Sequence, residues 1–362
     1  MTSEIAAAPT IESTDRPCTV SSSVLTEWCT QCLLRAKIPS QDAVFTAQSL
    51  VQTSLWGIDS HGVARLPHYL TRLAAGSLNP QPNLRFETTG PCTGMLDGDH
   101  GLGFVVCRRA TDEAITLAKT NGLGFIGVRH SSHCGAIGLY GRMIAEAGLI
   151  GLVFTHSDAF VAPHRGHQKL LGTNPICISA PRLDGPPVCL DMATSAAAWN
   201  LIVNAQTENR AIAPNLAYDA SGNSTTDPHA VSCLQPMAGH KGYALALMIE
   251  LLCGPLNGAP WGPNITPMYG DPSARRNLGS FIGAIDPTRF AGGANFPQAV
   301  ADIAAAAHCQ PHKNPDQPVL VPGDDHYACE DRRRRSGIPV AEGFAAQIRD
   351  WCTRLGVPSP LA

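Results

Sequence analysis

Between residues 110 and 192 the sequence alternates between helix-like and strand-like segments, and this alternation restricts the fold more than any other feature. Apolar residues at helical spacing predict helices over 110–119 and 138–147. Short apolar runs bounded by glycine, proline or polar residues predict strands over 124–128, 149–155, 175–180 and 188–192. We therefore expect a mixed α/β fold in this part of the chain.

Helical patterns dominate on both sides of this region. Ser40 is a suitable N-cap for a helix over 41–56, which Gly57 would end. Comparable apolar spacing predicts further helices over 24–36, 63–76 and 240–252. Residues 254–300 are rich in glycine, proline and asparagine, and we predict long loops there.

A shift of composition toward proline and polar side chains over residues 79–91 indicates a domain edge. We expect a flexible tail over residues 1–20 and an α/β domain over residues 91–230. A mainly helical domain would combine residues 21–90 with residues 231–362. No internal repeat of fixed period is present, which argues against solenoids and propellers.

The composition excludes several classes of protein. With 362 residues, 44% of them hydrophobic and 15% charged, the chain can bury a large core. Its net charge of −3 gives no reason to expect a nucleic-acid partner. The only basic run is Arg332–Arg335, and acidic residues just before it offset its charge, so we interpret the run as a solvated helix face. The 13 cysteines are odd in number and scattered, which favours free thiols over a disulfide scaffold.

The sequence also bears on location. The best apolar segment, residues 147–154, is far shorter than the roughly 20 residues that span a bilayer. Glu4, Glu12 and Asp15 precede the first arginine, so the N-terminus resembles neither a secretory signal nor an acid-poor transit peptide. We therefore expect a cytoplasmic protein without a membrane partner.

Residues 122–127 spell the GxGxxG pattern of dinucleotide-binding proteins, but their surroundings argue against that function. Such a fingerprint needs a strand before the glycines and a helix after them, so that the helix N-terminus meets the pyrophosphate. Here a predicted helix precedes the glycines and a predicted strand follows. We therefore interpret Gly122 as a helix C-cap and not as part of a Rossmann site.

Two histidines carry most of the functional information. His61, in an Asp-Ser-His-Gly turn, is followed by Arg65 and Tyr69 at spacings of four residues, which would place all three on one helix face. The residues around His133 are small and leave room for a ligand. A fixed cation for a carboxylate, combined with an imidazole that moves a proton near neutral pH, suits the reduction of a small 2-oxo or 2-imino acid.

Three further segments are candidates for contacts with a phosphorylated ligand. Gly239-His240-Lys241-Gly242 places a lysine and free N–H groups at a helix start, where anions are favoured, although an ordinary glycine-led helix would explain it as well. Gly172-Thr173-Asn174-Pro175 and Asp191-Met192-Ala193-Thr194-Ser195 adjoin predicted strands. Their small hydrogen-bonding residues suit close approach of a ligand and equally suit ordinary turns.

A metal site is the main competing chemistry. His130 and His133 lie three residues apart, and His156 and Asp158 follow downstream, so a centre of two histidines and one carboxylate can be drawn. Such a centre would make the protein a metal hydrolase. Nothing in the spacing fixes the geometry that a metal requires, and we predict no metal.

Six motifs in a fixed order form a pattern that resembles a known family. They are Asp59-Ser60-His61-Gly62 with Arg65 and Tyr69, Ser131-Ser132-His133-Cys134-Gly135, Gly172-Thr173-Asn174-Pro175, Asp191-Met192-Ala193-Thr194-Ser195, Thr225-Thr226-Asp227-Pro228 and His240-Lys241-Gly242-Tyr243. The chain resembles the malate/L-lactate dehydrogenase family, whose members bind nicotinamide cofactors without a Rossmann fold. The resemblance extends from about residue 25 to about residue 355.

The resemblance implies a homodimer with a helical part and an α/β part in a fold peculiar to the family, with NADH or NADPH as cofactor. His133 would be the catalytic histidine, with His61 as the alternative for proton transfer. The substrate contacts would be Ser60, His61, Arg65 and Tyr69, with Arg65 clamping the carboxylate. The cofactor contacts would be Ser157, Thr173, Asn174, Asp191, Met192, Ala193, His240 and Lys241.

Some segments depart from the family pattern. Where relatives carry Ala-Pro-x-Gly-Gly, this chain has Ala-Pro-His-Arg-Gly-His over residues 162–167. Arg165 in this segment would bind a phosphate or belong to a rebuilt loop. Because a 2′-phosphate needs an additional cation, we favour NADPH over NADH. Trp199-Asn200 and the proline-rich loop over 260–272 are expected to reshape the pocket and not the chemistry.

The resemblance leaves three functions to be separated. The first is an NAD(P)H-dependent oxidoreductase of a small 2-oxo or 2-hydroxy acid, in which His133 protonates the forming alkoxide. The second is a reductase of a cyclic 2-imino acid of the piperideine- or pyrroline-2-carboxylate type. The third is a nucleotide-binding pseudoenzyme, which the altered loop at Arg165 motivates.

Overall fold

We describe the protein from a computed structural model whose described residues are 18–361. Most of the tail expected over residues 1–20 therefore lies outside the described residues. Its last three residues, Cys18–Val20, form strand β1, which pairs antiparallel with β11 (Ile338–Val340). The two ends of the described chain are thus joined by a short ladder.

A seven-stranded mixed sheet forms the centre of the molecule. Its strands are β2 (Arg85–Gly90), β3 (Thr93–Asp97), β4 (Leu123–Ser131), β5 (Ile150–Thr155), β6 (Ile176–Ala180), β7 (Val188–Met192) and β10 (Leu278–Ile285). They lie side by side in the order β2-β3-β4-β10-β5-β6-β7. Strands β3 and β4 run parallel, and every other neighbouring pair in this sheet is antiparallel. The α/β fold class predicted from the alternating segments is confirmed.

Helices cover both faces of the sheet. Helices α4 (Gly103–Asn121) and α5 (Gly138–Glu146) pack on one face, and α7 (His240–Cys253) packs on the other. Side chains along a strand alternate between faces. Val153 accordingly contacts the α4 and α5 side, whereas its neighbour Phe154 contacts the α7 side.

Small residues allow α4 to lie close to the sheet. Ala114, in the middle of that helix, is fully buried. A Cβ on Gly124 of β4 would collide with the carbonyl oxygen of Ala114, and Gly122 ends α4 with a φ of 89°. Gly122 is therefore the helix C-cap that the sequence context predicted, and Gly124 lets α4 pack closely on the sheet.

A helical layer lies beside the sheet. It contains α1 (Ser22–Arg35), α2 (Ser40–Leu55), α3 (Leu66–Ala74) and α10 (Glu342–Leu355), which share one apolar core with β1 and β11. Helix α9 (Asp324–Ser336) packs against α2, and α8 (Phe296–His308) precedes it in the chain. Ser21 caps α1 by accepting a hydrogen bond from Val24 N at 3.3 Å.

A small third cluster completes the molecule. Helix α6 (Trp199–Thr207) packs with the two-stranded sheet of β8 (Ala217–Tyr218) and β9 (Cys233–Leu234) around Ile202. Phe160 stacks on Trp199 with ring centroids 4.8 Å apart. This cluster adjoins the cavity described below.

The prediction of long loops over residues 254–300 is wrong for β10, which lies between β4 and β5 near the middle of the sheet. This strand comes from the part of the chain expected to be mainly helical, so the sheet draws on sequence far beyond residues 91–230. All 13 cysteines lie within the described residues and are free thiols. Within residues 18–361, every helix is too short or too polar to cross a bilayer.

Candidate active site

One cavity collects most of the residues that the sequence singled out. It encloses about 290 Å³ beside the end of β7, the turns before α3 and the loops that follow β4 and β5. The predicted site residues on its wall are Ser60, His61, Arg65, His133, Ser157, Thr173, Asp191, Met192 and Ala193. The rest of the wall includes the apolar or aromatic side chains of Ile58, Ile137, Phe160, Trp199 and Met268. Polar groups that converge in a mostly apolar enclosure are typical of small-molecule sites.

His61 and Arg65 lie in two successive 3₁₀ turns, and helix α3 begins only after them. The prediction that one helix face carries His61, Arg65 and Tyr69 is therefore wrong. Gly62 lies between the two turns at a φ of −88° and a ψ of −149°, outside the helical region, and its backbone packs so closely on Ser54 that a side chain there would collide with it. The interrupted helix places His61 and Arg65 on the cavity wall.

An ion pair anchors this segment to α9. Arg333 donates to the two carboxylate oxygens of Asp59 at 2.5 and 2.9 Å, and to Ser54 O at 2.5 Å. Because the Arg333 side chain is only 13% exposed, the arginine run is not the wholly solvated face that we predicted. The pair holds the turn that carries Ser60 and His61.

Arg65 lies on the cavity wall, and two of its three guanidinium nitrogens donate hydrogen bonds within the protein. Its Nε donates to Ser60 O at 2.6 Å, and Nη2 donates to Asn200 Oδ1 at 2.7 Å and to Tyr269 Oη at 3.1 Å. A carboxylate can bind at the remaining terminal nitrogen, or at both if it displaces Asn200 and Tyr269. The Trp199-Asn200 segment and the 260–272 loop, both expected to shape the pocket, thus contact Arg65 directly.

His133 is oriented from behind by two groups. Its Nδ1 lies 2.6 Å from Tyr69 Oη and accepts a hydrogen bond from Gly135 N at 3.3 Å. Tyr69 itself is 1% exposed and stands behind His133, outside the cavity wall. The remaining ring nitrogen, Nε2, is therefore the one available to a ligand.

Burial keeps both cavity histidines neutral. It lowers the pKa of His133 well below its usual value, and the nearby His61 and Arg65 act in the same direction. Burial and Arg65 lower the pKa of His61 to about 4. The two rings stack with centroids 5.4 Å apart, and Ser60 Oγ lies 2.8 Å from His61 Nδ1.

Sequence reasoning missed a second arginine in the cavity. Arg276 is 4% exposed and pairs with Asp158 at 2.5 Å, while its Nε and Nη1 have no hydrogen-bond partner within the described chain. Burial lowers the pKa of Arg276 to about 10, so it stays charged at neutral pH. Asp158 also accepts from Met268 N at 3.0 Å, which fixes the pair. No local pattern could have revealed it, since the two partners are 118 residues apart.

Asp191 supplies the acidic group of the cavity. Its Oδ2 accepts from Gly138 N, in the first turn of α5, at 2.7 Å. Burial raises the pKa of Asp191 to about 6, against the opposing effects of Gly138 N–H and Arg142. At neutral pH the group is therefore mostly an anion that can accept hydrogen bonds. Met192 and Ala193 continue the same wall.

Ser157 and Thr173 lie on the wall, and Asn174 lies behind it. Thr173 N donates to Ser157 Oγ at 3.1 Å. Asn174 is fully buried and donates from Nδ2 to Ala246 O at 3.0 Å and to Glu250 Oε2 at 2.6 Å. Asn174 therefore joins this loop to α7.

The remaining predicted cofactor residues lie outside the cavity wall. His240 and Lys241 are exposed at the start of α7, which adjoins the cavity because Met237 N donates to Thr194 O at 2.9 Å, just after Ala193. Arg165 is exposed in a loop at a φ of 68°. The structure thus brings Ser60, His61 and Arg65 together on the cavity wall, with Tyr69 behind His133. It places His240, Lys241 and Arg165 on the surface.

The two histidines of the metal alternative face different surroundings. His130 Nδ1 lies 3.1 Å from Asp97 Oδ2, whereas His133 faces the cavity. Residues 18–361 contain no group of three or more histidine, cysteine, aspartate or glutamate side chains placed to hold a metal ion.

Comparison with known proteins identifies the family of the chain. The family model described as malate/L-lactate dehydrogenase matches residues 20–349. The chain belongs to the malate/L-lactate dehydrogenase family. The resemblance drawn from the six motifs is therefore confirmed.

Members of the malate/L-lactate dehydrogenase family with known names align with nearly the whole chain. Ureidoglycolate dehydrogenase (NAD(+)) of Escherichia coli O157:H7 is 34% identical over 310 residues, which are 86% of this chain and 89% of that protein. The solved structure of sulfolactate dehydrogenase from Methanocaldococcus jannaschii has a TM-score of 0.88 and 31% identity, covering 94% of this chain and 98% of that one. The structure of Δ1-piperideine-2-carboxylate reductase from Pseudomonas syringae pv. tomato has a TM-score of 0.83 and 28% identity, covering 92% and 99%.

Proposed function

We propose that the protein is a nicotinamide-dependent oxidoreductase acting at C2 of a small 2-oxo or 2-hydroxy acid. The observation that carries this proposal is that His133 and two arginines, Arg65 and Arg276, line one mostly apolar cavity. When bound, a nicotinamide cofactor would supply or take up the hydride at C2. The residues of the chain would bind the acid, orient it and move the proton.

The two arginines would hold the anionic substrate. Arg65 has one terminal nitrogen without a partner among the described residues, and Arg276 has two such nitrogens, Nε and Nη1. A buried charged group with unpaired donors is unfavourable until an acceptor arrives. A carboxylate on either arginine would satisfy those donors, and Ser60 and His61 would contact its second oxygen or the oxo group.

His133 would move the proton at the C2 oxygen. A tyrosine hydroxyl can donate or accept, so Tyr69 can pair with Nδ1 of His133 whether or not that nitrogen carries a proton. Gly135 N only donates, so its contact favours the neutral tautomer with the proton on Nε2. With both ring nitrogens protonated, His133 would give its Nε2 proton to the forming alkoxide and become neutral, and as a neutral ring with Nε2 free it would take the proton of a hydroxy acid and become imidazolium. Tyr69 would therefore position His133 in both directions, and His61 is the second candidate for the proton transfer.

The residues near the end of β7 fit a nicotinamide cofactor. Asp191, Met192 and Ala193 line the cavity with Ser157 and Thr173, and acceptor and apolar surfaces of this kind suit an uncharged amide-bearing ring with its ribose. His240 and Lys241 would meet the phosphates at the start of α7, which follows the hydrogen bond from Met237 N to Thr194 O.

The preference for NADPH that the sequence predicted from Arg165 gains no support, because Arg165 is exposed and lies outside the cavity wall. The ureidoglycolate dehydrogenase relative carries NAD(+) in its name. We therefore propose NAD(H) as the cofactor. An affinity for NADPH that exceeds the affinity for NADH and falls in Arg165→Ala would return the choice to NADPH.

A cyclic 2-imino acid is the second candidate substrate. The similarity to Δ1-piperideine-2-carboxylate reductase over 92% of this chain favours it. Such a substrate has the same carboxylate for Arg65 and the same carbon for hydride transfer. It differs in its need for proton transfer. An iminium nitrogen already carries a proton, so its reduction would depend less on His133.

We also propose a homodimer. Helix α7 exposes Leu245, Met248 and Leu251 at 38%, 56% and 45%, which form an apolar stripe on its outer face. Burial of such a stripe against a second copy removes apolar surface from water. The free thiols fit a reducing compartment, and we place the protein in the cytoplasm.

The first experiment is a fluorimetric titration of purified protein with NADH and NADPH, followed by turnover on a panel of 2-oxo acids and cyclic 2-imino acids. Tight binding with turnover on 2-oxo acids supports the first candidate, and turnover on imines supports the second. Binding without turnover on any member would indicate a pseudoenzyme. Absence of nucleotide binding, or activity abolished by a chelator, would contradict the proposal.

A further inference from the structure

Arg142 occupies an unusual position behind the cavity. It is 4% exposed, and its guanidinium carbon lies 3.7 Å from the ring centroid of Trp56 and 4.5 Å from that of Tyr327. Because two aromatic rings pack against the guanidinium, its N–H edge is the part that remains for hydrogen bonds. One nitrogen, Nη2, lies 3.3 Å from His326 Nδ1, and Nε and Nη1 have no hydrogen-bond partner in the described chain.

This contact fixes the state of His326. Arginine only donates hydrogen bonds, so Nδ1 of His326 must accept and the ring proton must lie on Nε2. Burial, together with Arg142, lowers the pKa of His326, against the opposing charge of Asp325. His326 is therefore a neutral ring with a single donor, and it lies on the wall of the same cavity as His133.

The start of α9 is held beside β7, the strand that carries Asp191. Cys189 N donates to Pro322 O at 2.9 Å, and Tyr327 Oη donates to Pro187 O at 3.0 Å. These bonds fix both elements next to each other, so His326 and Asp191 belong to one end of the cavity. Sequence reasoning gave no signal for His326, since its neighbours on α9 are charged and it belongs to none of the six motifs.

We propose that His326 is a further cofactor-binding residue, which donates from Nε2 at the end of the cavity that Asp191 also lines, and that Arg142 is the positioning residue for both. A donor next to an acceptor is complementary to a group that carries both functions. In a nicotinamide cofactor these groups are the carboxamide and the ribose hydroxyls, whereas a substrate carboxylate only accepts. The inference rests on the proposed function, because it assumes that a nicotinamide cofactor enters this cavity.

The positive charge of Arg142 adds a second effect. The groups that face Asp191 are Gly138 N–H and Arg142 from α5, and both oppose the effect of burial on the pKa of Asp191. The other titratable groups near Asp191 are His326 on α9, which is neutral, and the thiols of Cys177 on β6 and Cys189 on β7. Arg142 therefore helps to keep Asp191 ionised and able to accept near neutral pH.

The first test measures dissociation constants of NADH, its 3-acetylpyridine analogue and ADP-ribose by fluorescence or calorimetry. His326→Phe should weaken NADH binding about tenfold, the effect of one lost hydrogen bond, and His326→Gln should restore most of it because its amide donates from a similar position. His229→Phe, which alters an exposed histidine paired with Asn209, is the matched control.

The three ligands locate the contact. A loss confined to ligands with the nicotinamide ring assigns the pair to that half of the cofactor, and a preference of the wild type for NADH over the acetyl analogue then indicates the carboxamide. An equal loss for ADP-ribose, which lacks only the nicotinamide ring and keeps both riboses, assigns the pair to a ribose hydroxyl. Unchanged affinity of His326→Phe for all three ligands would overturn the inference, whereas a wild type that binds no NADH would overturn the proposed function instead.

The second test follows NADH affinity against pH in Arg142→Met and Arg142→Lys. Loss of the charge should move the acid limb of the binding profile to higher pH in Arg142→Met, and Arg142→Lys should keep most of the wild-type profile. Arg354→Met, which alters an exposed arginine stacked on Trp351, is the matched control. A purely structural role would lower the melting temperature and leave the pH profile unmoved, and that result would contradict the positioning role.

Discussion

At the scale of single residues, the proton transfer proposed for His133 makes its protonation state the factor that sets the pH range of each direction. The ring is neutral at pH 7, because burial, His61 and Arg65 all lower its pKa. Oxidation of a hydroxy acid needs this neutral form as a base. Reduction of an oxo acid needs a proton at Nε2, which becomes easier to provide as the pH falls.

We predict that oxidation is insensitive to pH around neutrality and slows only in acid, whereas reduction accelerates as the pH falls from 8 toward 6. In His133→Asn, kcat/KM should fall by about 10²- to 10⁴-fold in both directions, the usual contribution of a positioned acid or base. Steady-state kinetics in both directions, with NADH affinity as the control, test this. If His61→Asn lost as much activity as His133→Asn while retaining nucleotide binding, the assignment would change to His61.

Sequence reasoning at this scale found residues that carry a local signal. His61, Arg65 and His133 stand in short motifs of small and polar residues, and all three line the cavity. Arg276 and His326 line it too, yet their partners Asp158 and Arg142 are far away in the sequence. A role that depends on a distant partner leaves no pattern in the neighbouring residues.

At the scale of elements, the junction of α4 and β4 sets the position of the loop that carries His133. Gly103, at the first turn of α4, donates from its N to Ser132 Oγ at 2.8 Å, and Ser132 Oγ donates to Gly101 O at 2.9 Å. A Cβ on Gly103 would collide with the backbone carbonyls of Ser132 and His133. Backbone atoms cannot turn aside as a side chain can, so the loop itself would have to move.

We predict that Gly103→Ala lowers kcat by about 10- to 100-fold with little change in NADH affinity, because a shift of about 1 Å at a catalytic group costs about that much. Kinetics and calorimetric titration measure the two quantities. Gly343→Ala in the first turn of α10 is the matched control, since its Cβ meets no atom within 4 Å. It should leave activity unchanged and stability unchanged or higher by about 0.5 kcal/mol. Equal kcat values for the two variants would refute this role of the junction.

The elements that the sequence predicted best are those with a clear apolar period, such as α7 and strands β6 and β7. Strand β10 was not predicted because its sequence, Leu-Gly-Ser-Phe-Ile-Gly-Ala-Ile, contains two glycines, which are typical of loops. In the sheet these glycines serve packing: Gly283 leaves room for the ring of Phe125, and Gly279 lies against Cys253 O. The need for glycine there is a tertiary effect that the local sequence does not show.

At the scale of the whole molecule, the exposed apolar stripe on α7 bears on assembly. We predict a mass in solution of twice the 38.2 kDa chain, measured by light scattering or sedimentation. Met248→Lys should shift the protein toward monomer, since a lysine in the centre of the stripe would have to be buried. Ile303→Lys, on α8 at 69% exposure, is the control and should remain dimeric. A dimer that tolerates Met248→Lys would place the interface elsewhere.

Acid should destabilise the protein before most of its carboxylates titrate. Burial lowers the pKa of His61 to about 4 and of His68 to about 3, and it lowers the pKa of His133 as well. Below pH 6.5 the unfolded chain binds protons at these histidines and the folded chain does not, so stability is complete above that pH and falls as the pH decreases toward 4. Asp191, with its pKa raised to about 6, has the opposite effect, but three groups outweigh one.

We therefore predict that the urea midpoint decreases from pH 7 to pH 5, and that His61→Asn makes this decrease shallower. Equilibrium unfolding at several pH values, followed by fluorescence, measures it. A midpoint that stays constant between pH 7 and pH 5 would contradict the neutral state assigned to the buried histidines.

The position of β10 also has a consequence for how the protein is made. Strands β4 and β5 leave the ribosome early, but the strand that separates them in the sheet is synthesised about 120 residues after β5. At about 5 to 20 residues per second, the edges of both strands stay unpaired for on the order of ten seconds. Exposed strand edges are sites of aggregation. The nascent chain is therefore expected to depend on chaperones during this interval, and a truncation before Leu278 should be insoluble.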